Sequence, residues 1–335
     1  MIDRIQAEFA DPIGRVLAAS IFGRTDATRV RDGLIGFCER ELDARPAELH
    51  FFTMSVGAVF GLRLTDGRDV VVKVHLAREG LDRLACVQRI QRHLAESGFP
   101  CPSPVGEPAR LLELPATVED LVGGGVQRDA HDPSVRGVMA AMLARLVRLT
   151  AKEVDESESL RQGWSVGSTE ALWGEPHNAL FDFEATAGGA EWIDRLAATA
   201  RGRIDAGRRV VAHSDWSVKH FRFNGSHVHV IYDWDSLRLG SEPSLVAGAA
   251  VHFPYTEAFD VPKVASLDEI RAFVAEYERE RAEPFTPAES SAVSAGAVAA
   301  LAYTARCEHA LDPTGDRPTG SYREALASFG EELLA

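Results

Sequence analysis

The stretch Val211-Ala212-His213-Ser214-Asp215-Trp216-Ser217-Val218-Lys219-His220-Phe221-Arg222-Phe223-Asn224-Gly225-Ser226-His227-Val228-His229-Val230-Ile231-Tyr232-Asp233-Trp234-Asp235 decides how the chain is read. Its middle is a hairpin: Phe221-Arg222-Phe223, the turn Asn224-Gly225, then Val228, Val230 and Ile231 alternating with His227 and His229. An acidic motif stands on each side, His213-Ser214-Asp215 before and Tyr232-Asp233-Trp234-Asp235 after, so a returning hairpin brings Asp215 and Asp233 close together. Either motif alone is common as a satisfied turn or helix cap. Their order, their spacing and the hairpin between them mark a site.

Upstream of this unit the pattern is strand-rich. Period-two alternation runs from His50 to His75, through Val59, Leu62 and Leu64 and then Val70, Val71, Val72 and Val74, broken by the turn Thr65-Asp66-Gly67-Arg68. It predicts an antiparallel meander. A helix is predicted from Arg78 to Ser97, stopped by Gly98, after which Pro100, Pro102 and Pro104 force an extended connection into Arg110 to Leu114. Two helical patterns precede the meander, one with Ile5, Phe9, Ile13, Val16 and Leu17, the other from Thr28 to Leu42. After Gly123-Gly124-Gly125 the chain turns mainly helical, over Pro133 to Lys152, Glu191 to Gly207, Leu267 to Arg281 and Pro287 to Leu311. The expected class is α+β and bilobal: N-terminal helices over 1–48, a small antiparallel-sheet lobe over 49–116, and a larger helical lobe over 117–335 that holds the acidic loops.

Composition bounds what such a chain does. At 335 residues, 45% hydrophobic and 26% charged, it is an ordinary globular sequence too long for one small core. A net charge of −14 repels phosphate backbones and anionic bilayers and attracts cations, which argues against nucleic acid or membrane as partner. Cys38, Cys86, Cys101 and Cys307 form no paired spacing and read as reduced, mostly buried thiols. Charged residues interrupt the first thirty positions, so a cytoplasmic protein, monomeric or homodimeric, is expected.

Phosphoryl transfer needs a lysine on nucleotide phosphates, a carboxylate to accept a hydroxyl proton, and further ligands for Mg²⁺. Lys73, set among the valines of Val70 to Val74, is the phosphate candidate, and Ser55 and Gly57 offer small residues where backbone N–H groups approach phosphate. Asp215 is the base candidate, with His213 beside it in the loop; Asp233, Asp235 and His220 are the metal candidates. Trp216 and Lys219 in the loop, and His177, Asp182 and Glu184 in an aromatic-rich loop around Trp173 and Phe183, are candidates for substrate contact. The motif Arg306-Cys307-Glu308-His309 reads as one exposed face and one buried thiol, and Gly240-Ser241-Glu242-Pro243 as a helix start.

On Val211 to Asp235 the chain resembles the aminoglycoside phosphotransferase family, whose loop reads H-G-D-x-x-x-x-N with an I-D-x-x segment one hairpin later. Gly98-Phe99-Pro100-Cys101-Pro102 resembles that family's junction between first helix and hinge-ward strand, and the likeness extends over His50 to Ala310, leaving the first two helices outside the shared core. The resemblance implies a protein-kinase-like fold, ATP or GTP with Mg²⁺, and transfer of the γ-phosphoryl group to a hydroxyl of a small polar molecule, an antibiotic being one such acceptor and a cationic one suiting the charge. It puts the base on Asp215 and the metal on His220 and Asp233. Three positions depart from the pattern. His220 stands where the family has asparagine, Ser214 where it has glycine, and the helix after Lys73 offers Gln88 or the outlying Glu79 where the family pairs a glutamate with the lysine. The rival readings are a pseudokinase that binds nucleotide or a small ligand without turnover, and a kinase of a metabolic sugar or amino alcohol.

Overall fold

The computed structural model describes residues 1–23, 26–161, 171–204 and 206–335. The first unit begins with three helices, α1 (Ile2–Ala10), α2 (Pro12–Phe22) and α3 (Ala27–Leu42). The single helical run expected over Ile5 to Leu17 is broken, because Asp11 turns extended and its carboxylate caps α2 by accepting from Ile13 and Gly14 N–H, each at 2.9 Å, with Pro12 in the first turn. Strands β1 (Pro46–Met54), β2 (Ala58–Leu64) and β3 (Asp69–Val74) form the meander, α4 (Leu81–Glu96) follows, and β4 (Ala109–Leu111) and β5 (Leu114–Asp120) complete a five-stranded antiparallel sheet of order β1-β2-β3-β5-β4. One sheet face is buried under the N-terminal helices. Phe60 stacks on Phe52 at 4.6 Å, Phe52 meets the edge of Phe9 at 6.2 Å, and Ile5, Leu34 and Phe37 join Leu62, Val70 and Val72 in the same fully buried cluster. Burial of each such side chain contributes about 1.5–3 kcal/mol, so residues 1–48 are part of this unit's core.

The compact units are Met1–Glu96 with Cys101–Gly123 and His177–Leu180, and Ser97–Pro100 with Gly124–Pro176 and Phe181–Ala335. The second unit contains α5 (Pro133–Leu149), α6 (Glu191–Arg201), β6 (Arg209–His213), the hairpin β7 (Phe221–Asn224) and β8 (His227–Ile231), β9 (Leu237–Ser241), α7 (Glu242–His252), α8 (Leu267–Glu280), α9 (Pro287–Leu311) and α10 (Tyr322–Leu334). Two helices start on complete capping boxes, Ser266 with Glu269 at α8 and Thr286 with Glu289 at α9. The long, alanine-rich α9 packs against α6, α7 and α10. Its Gly296 permits close approach to α7, since a Cβ there would meet the Ala247 Cβ at 2.9 Å. None of the described helices is long and apolar enough to cross a membrane.

The face Arg306 to His309 differs from expectation. Arg306, Cys307 and His309 are all at least 95% buried, because α9 is enclosed on several sides. Arg306 stacks over Phe183 at 4.7 Å and donates to the Phe183 carbonyl, and His309 Nε2 bonds the Gly188 carbonyl at 3.0 Å. These contacts fasten the segment after residue 180 to α9.

Candidate active site

Strands β6 and β9 pair antiparallel, with His213 opposite Leu237, so the loops that leave one strand and enter the other begin side by side. The hairpin β7–β8 brings the chain back, as its Asn224-Gly225 turn and alternating apolar residues predict, with Phe221 opposite Ile231 and Gly225 at φ +61°. Hydrogen bonds then lock the two loops together. The Ser214 N–H and Oγ both donate to the Ser236 carbonyl, at 2.9 and 2.8 Å, and the Tyr232 N–H donates to the His220 carbonyl at 3.0 Å. Ser214, where the resembling family has glycine, therefore adds a tether. The loop backbone is also held from behind, by Val218 N–H on the Phe253 carbonyl at 2.9 Å and Gln127 Nε2 on the Lys219 carbonyl at 2.8 Å.

His213 is buried among the rings of Trp216, Trp234 and His220. Burial, with His220 adding to it, pushes its pKa down to about 4. The neutral ring donates from Nε2 to the Tyr232 carbonyl at 3.2 Å. Its part is to brace the two loops. Trp216 is fully buried and donates Nε1 to the Met139 carbonyl at 3.1 Å, so it anchors the loop and does not face a ligand.

Asp215, His220 and Asp233 converge. The His220 Nε2 lies 3.0 Å from Asp215 Oδ2 and 3.8 Å from Asp233 Oδ2, and one ligand atom from each of the three residues falls within 4.8 Å of the others. Asp233 reaches this position from a left-handed backbone, φ 71°, and accepts from Ser236 Oγ at 3.0 Å. Asp235 lies outside the cluster. Two carboxylates and an imidazole within this span are a donor set that fits a divalent cation. Lys219 Nζ also sits 2.8 Å from Asp215 Oδ2, with the Tyr255 ring 5.2 Å away. Burial alone would raise the Asp215 pKa, but the His220 ring and the Lys219 ammonium outweigh it and hold the carboxyl well below its usual range. Lys219, in turn, is raised: burial works against its charge and Asp215 more than reverses this. At neutral pH this is an ionised carboxylate beside the Lys219 ammonium and the His220 ring.

In the first unit Lys73 is nearly buried on β3, its Nζ 3.5 Å from Glu119 Oε1. Sequence reasoning missed Glu119. It sought the partner on α4, where Gln88 instead donates to the Val118 carbonyl at 3.3 Å and Glu79 pairs with Arg83 at 2.9 Å. Strand register supplies the carboxylate: Lys73 faces Thr117 on β5, and Glu119 is the next residue on that side of the same strand. Gln91 donates to Glu119 Oε2 at 2.9 Å and fixes it. Ser55 and Gly57 form the tight connection from β1 to β2, closed by the Ser55 N–H on the Gly57 carbonyl at 2.9 Å. A Cβ on Gly57 would stand 2.4 Å from the Val74 carbonyl oxygen. Gly57→Ala is expected to displace this turn and to lower the melting temperature of the protein, measured by thermal unfolding.

The remaining substrate candidates have structural contacts. The His177 carbonyl accepts from Arg78 at 3.5 Å, Asp182 accepts from the Ala185 N–H at 2.8 Å, and Glu184 is exposed. Trp173 donates to Asp194 at 2.8 Å and packs on Phe183 and Tyr303, so the aromatic rings pin this segment.

A model of the phosphotransferase enzyme family matches residues 58–241, which include Lys73, both acidic loops and the hairpin. The chain belongs to that family. An amicoumacin kinase, hAmiN, solved with AMP-PNP, Ca²⁺ and Ami, is similar at a TM-score of 0.60 with 12% identity, over 100% of this chain and 96% of that one. An aminoglycoside phosphotransferase from Alicyclobacillus acidocaldarius is similar at 0.50 with 14% identity, over 88% and 92%. Comparison with curated proteins finds no match. The fold of this phosphotransferase is thus the α+β, protein-kinase-like one.

Proposed function

We propose that this phosphotransferase moves the γ-phosphoryl group of ATP or GTP to a hydroxyl of a small polar acceptor, of antibiotic or antibiotic-like type. The observation that carries the reading is the convergence of an ionised Asp215 with His220 and Asp233 on two interlocked loops. Asp215 orients the acceptor hydroxyl and takes its proton as the oxygen bonds to phosphorus; the bond from the γ-phosphorus to the bridging oxygen breaks and the nucleoside diphosphate leaves. A carboxylate held this acidic is a weak base, so its contribution lies mainly in positioning, with the proton moving late in a loose transition state. Asp233 and His220 would hold the divalent cation, Mg²⁺ in the general case, which neutralises charge on the phosphates. Lys73, fixed by Glu119, is assigned to the nucleotide phosphates, and the Ser55–Gly57 turn to backbone contact with them. The net charge of −14 favours a cationic acceptor.

The test is turnover with ATP and with GTP over a panel of aminoglycoside, peptide and nucleoside antibiotics and amino sugars. Asp233→Ala is expected to lose turnover by about 10²–10³-fold while keeping the fold. Full activity in that variant contradicts the proposal.

A further inference from the structure

We infer that His220 makes the site prefer a manganous ion to magnesium. This rests on the phosphoryl-transfer reading and names its metal. The donors are the His220 imidazole nitrogen and an Asp233 carboxylate oxygen, 3.8 Å apart, with an Asp215 oxygen in the same 4.8 Å cluster. Adjacent ligands of a six-coordinate ion with bonds of about 2.1 Å stand about 3 Å apart, so the spacing needs little adjustment. Mg²⁺ is hard and takes oxygen; imidazole nitrogen is a poor exchange for one of its oxygens, whereas first-row transition ions accept it readily. Among those, Mn²⁺ also suits the carboxylate and phosphate oxygens that complete the sphere.

His220 cannot easily withdraw. Its side chain is 15% exposed, its ring lies against His213 at 5.8 Å, and its backbone is held on both sides, by its N–H on the Ser217 carbonyl at 3.1 Å and its carbonyl under the Tyr232 N–H at 3.0 Å. Lys219 beside Asp215 weakens the hold on any dication. It does so equally for two ions of the same charge, so donor chemistry sets the preference between them.

The experiment titrates the full-length protein, saturated with a non-hydrolysable nucleotide, with Mn²⁺. Loss of the free-ion electron paramagnetic resonance signal is followed, with Mg²⁺ as competitor, for the parent and His220→Asn. The preference for Mn²⁺ over Mg²⁺ is expected to fall by about tenfold in His220→Asn. Pulsed electron spin echo spectra of bound Mn²⁺ are expected to show ¹⁴N coupling from imidazole in the parent and none in the variant. Equal preferences in the two proteins, or parent Mn²⁺ without nitrogen coupling, overturn the inference and leave the phosphoryl-transfer reading intact. Failure of the parent to bind nucleotide at all overturns both, and is told apart by the absence of a nucleotide-induced rise in melting temperature. The nitrogen coupling is read on the parent alone, so the inference stays open to refutation even if His220→Asn folds poorly.

Discussion

Replacement of Asp215 by asparagine is expected to lower kcat by about 10²–10⁴-fold, the range for loss of a positioned acid–base group, with nucleotide affinity little changed. The substitution keeps the volume and removes the charge. Asp215 Oδ2 is the shared partner of Lys219 at 2.8 Å and His220 at 3.0 Å, so an amide there can neither accept the hydroxyl proton nor balance the Lys219 ammonium. The loop should persist, because its fastenings lie elsewhere: Ser214 on Ser236, Trp216 on Met139 and Val218 on Phe253. Single-turnover kinetics separate the effects. A fall in the chemical rate with an unchanged nucleotide-induced rise in melting temperature is the expected pattern; a rate within about threefold of the parent removes Asp215 from the chemistry.

The largest effect on stability is expected at Glu242, which is not part of the Asp215–His220–Asp233 cluster. Its carboxylate is fully buried and takes two bonds from Arg208, at 2.7 and 3.0 Å, two from Arg281, at 3.0 and 2.8 Å, and one from the Tyr277 hydroxyl at 2.6 Å. Glu242→Ala leaves Arg281 and Tyr277 buried without it, and breaking a buried pair this way costs about 3–5 kcal/mol. Denaturant unfolding followed by tryptophan fluorescence measures it; a loss under about 1 kcal/mol, the level of surface pairs, contradicts the account.

The same residue sets an acid limit. Burial would raise the Glu242 pKa, but Arg208, Arg281 and Tyr277 together bring it down to about 2 from 4.5. With the folded pKa depressed, its contribution is present above pH 4.5 and is lost as pH falls from there towards 2. His213 and His252 act earlier on the acid side. Burial lowers both to about 4 from 6.5, so between those values the unfolded chain binds more protons and stability falls as pH falls. Glu242→Ala is therefore expected to flatten the stability profile below pH 4.5 and to leave the decline between 6.5 and 4 in place.

How legible these features were follows from how local their causes are. The hairpin between the acidic loops shows in the sequence because an Asn-Gly turn and two short apolar alternations are contained in eleven residues, Phe221 to Ile231. The capping boxes at Ser266 and Thr286 are equally local. The pairing of β6 with β9 is not, since Arg209 meets Ser241 across the whole segment that carries both acidic loops. Glu119 was hidden for the same reason: only the register of β3 on β5 puts it beside Lys73. Glu242 reads as an ordinary first-turn acid after Ser241, and its arginines come from residues 208 and 281, one upstream and one a full helix away. Trp216 looked available because loops are usually exposed, yet this loop is packed from behind by α5. Helix α10 went unread although its signal is local, with Ser321 capping at Glu324.

The most direct test of the central claim is ³¹P NMR of the full-length protein with nucleoside triphosphate, divalent cation and the antibiotic and amino-sugar panel. The account predicts a new phosphate monoester resonance on one acceptor, growing in step with nucleoside diphosphate and absent with Asp215→Asn. Stable nucleotide binding with no monoester on any acceptor, or a monoester that forms equally fast with Asp215→Asn, would contradict it.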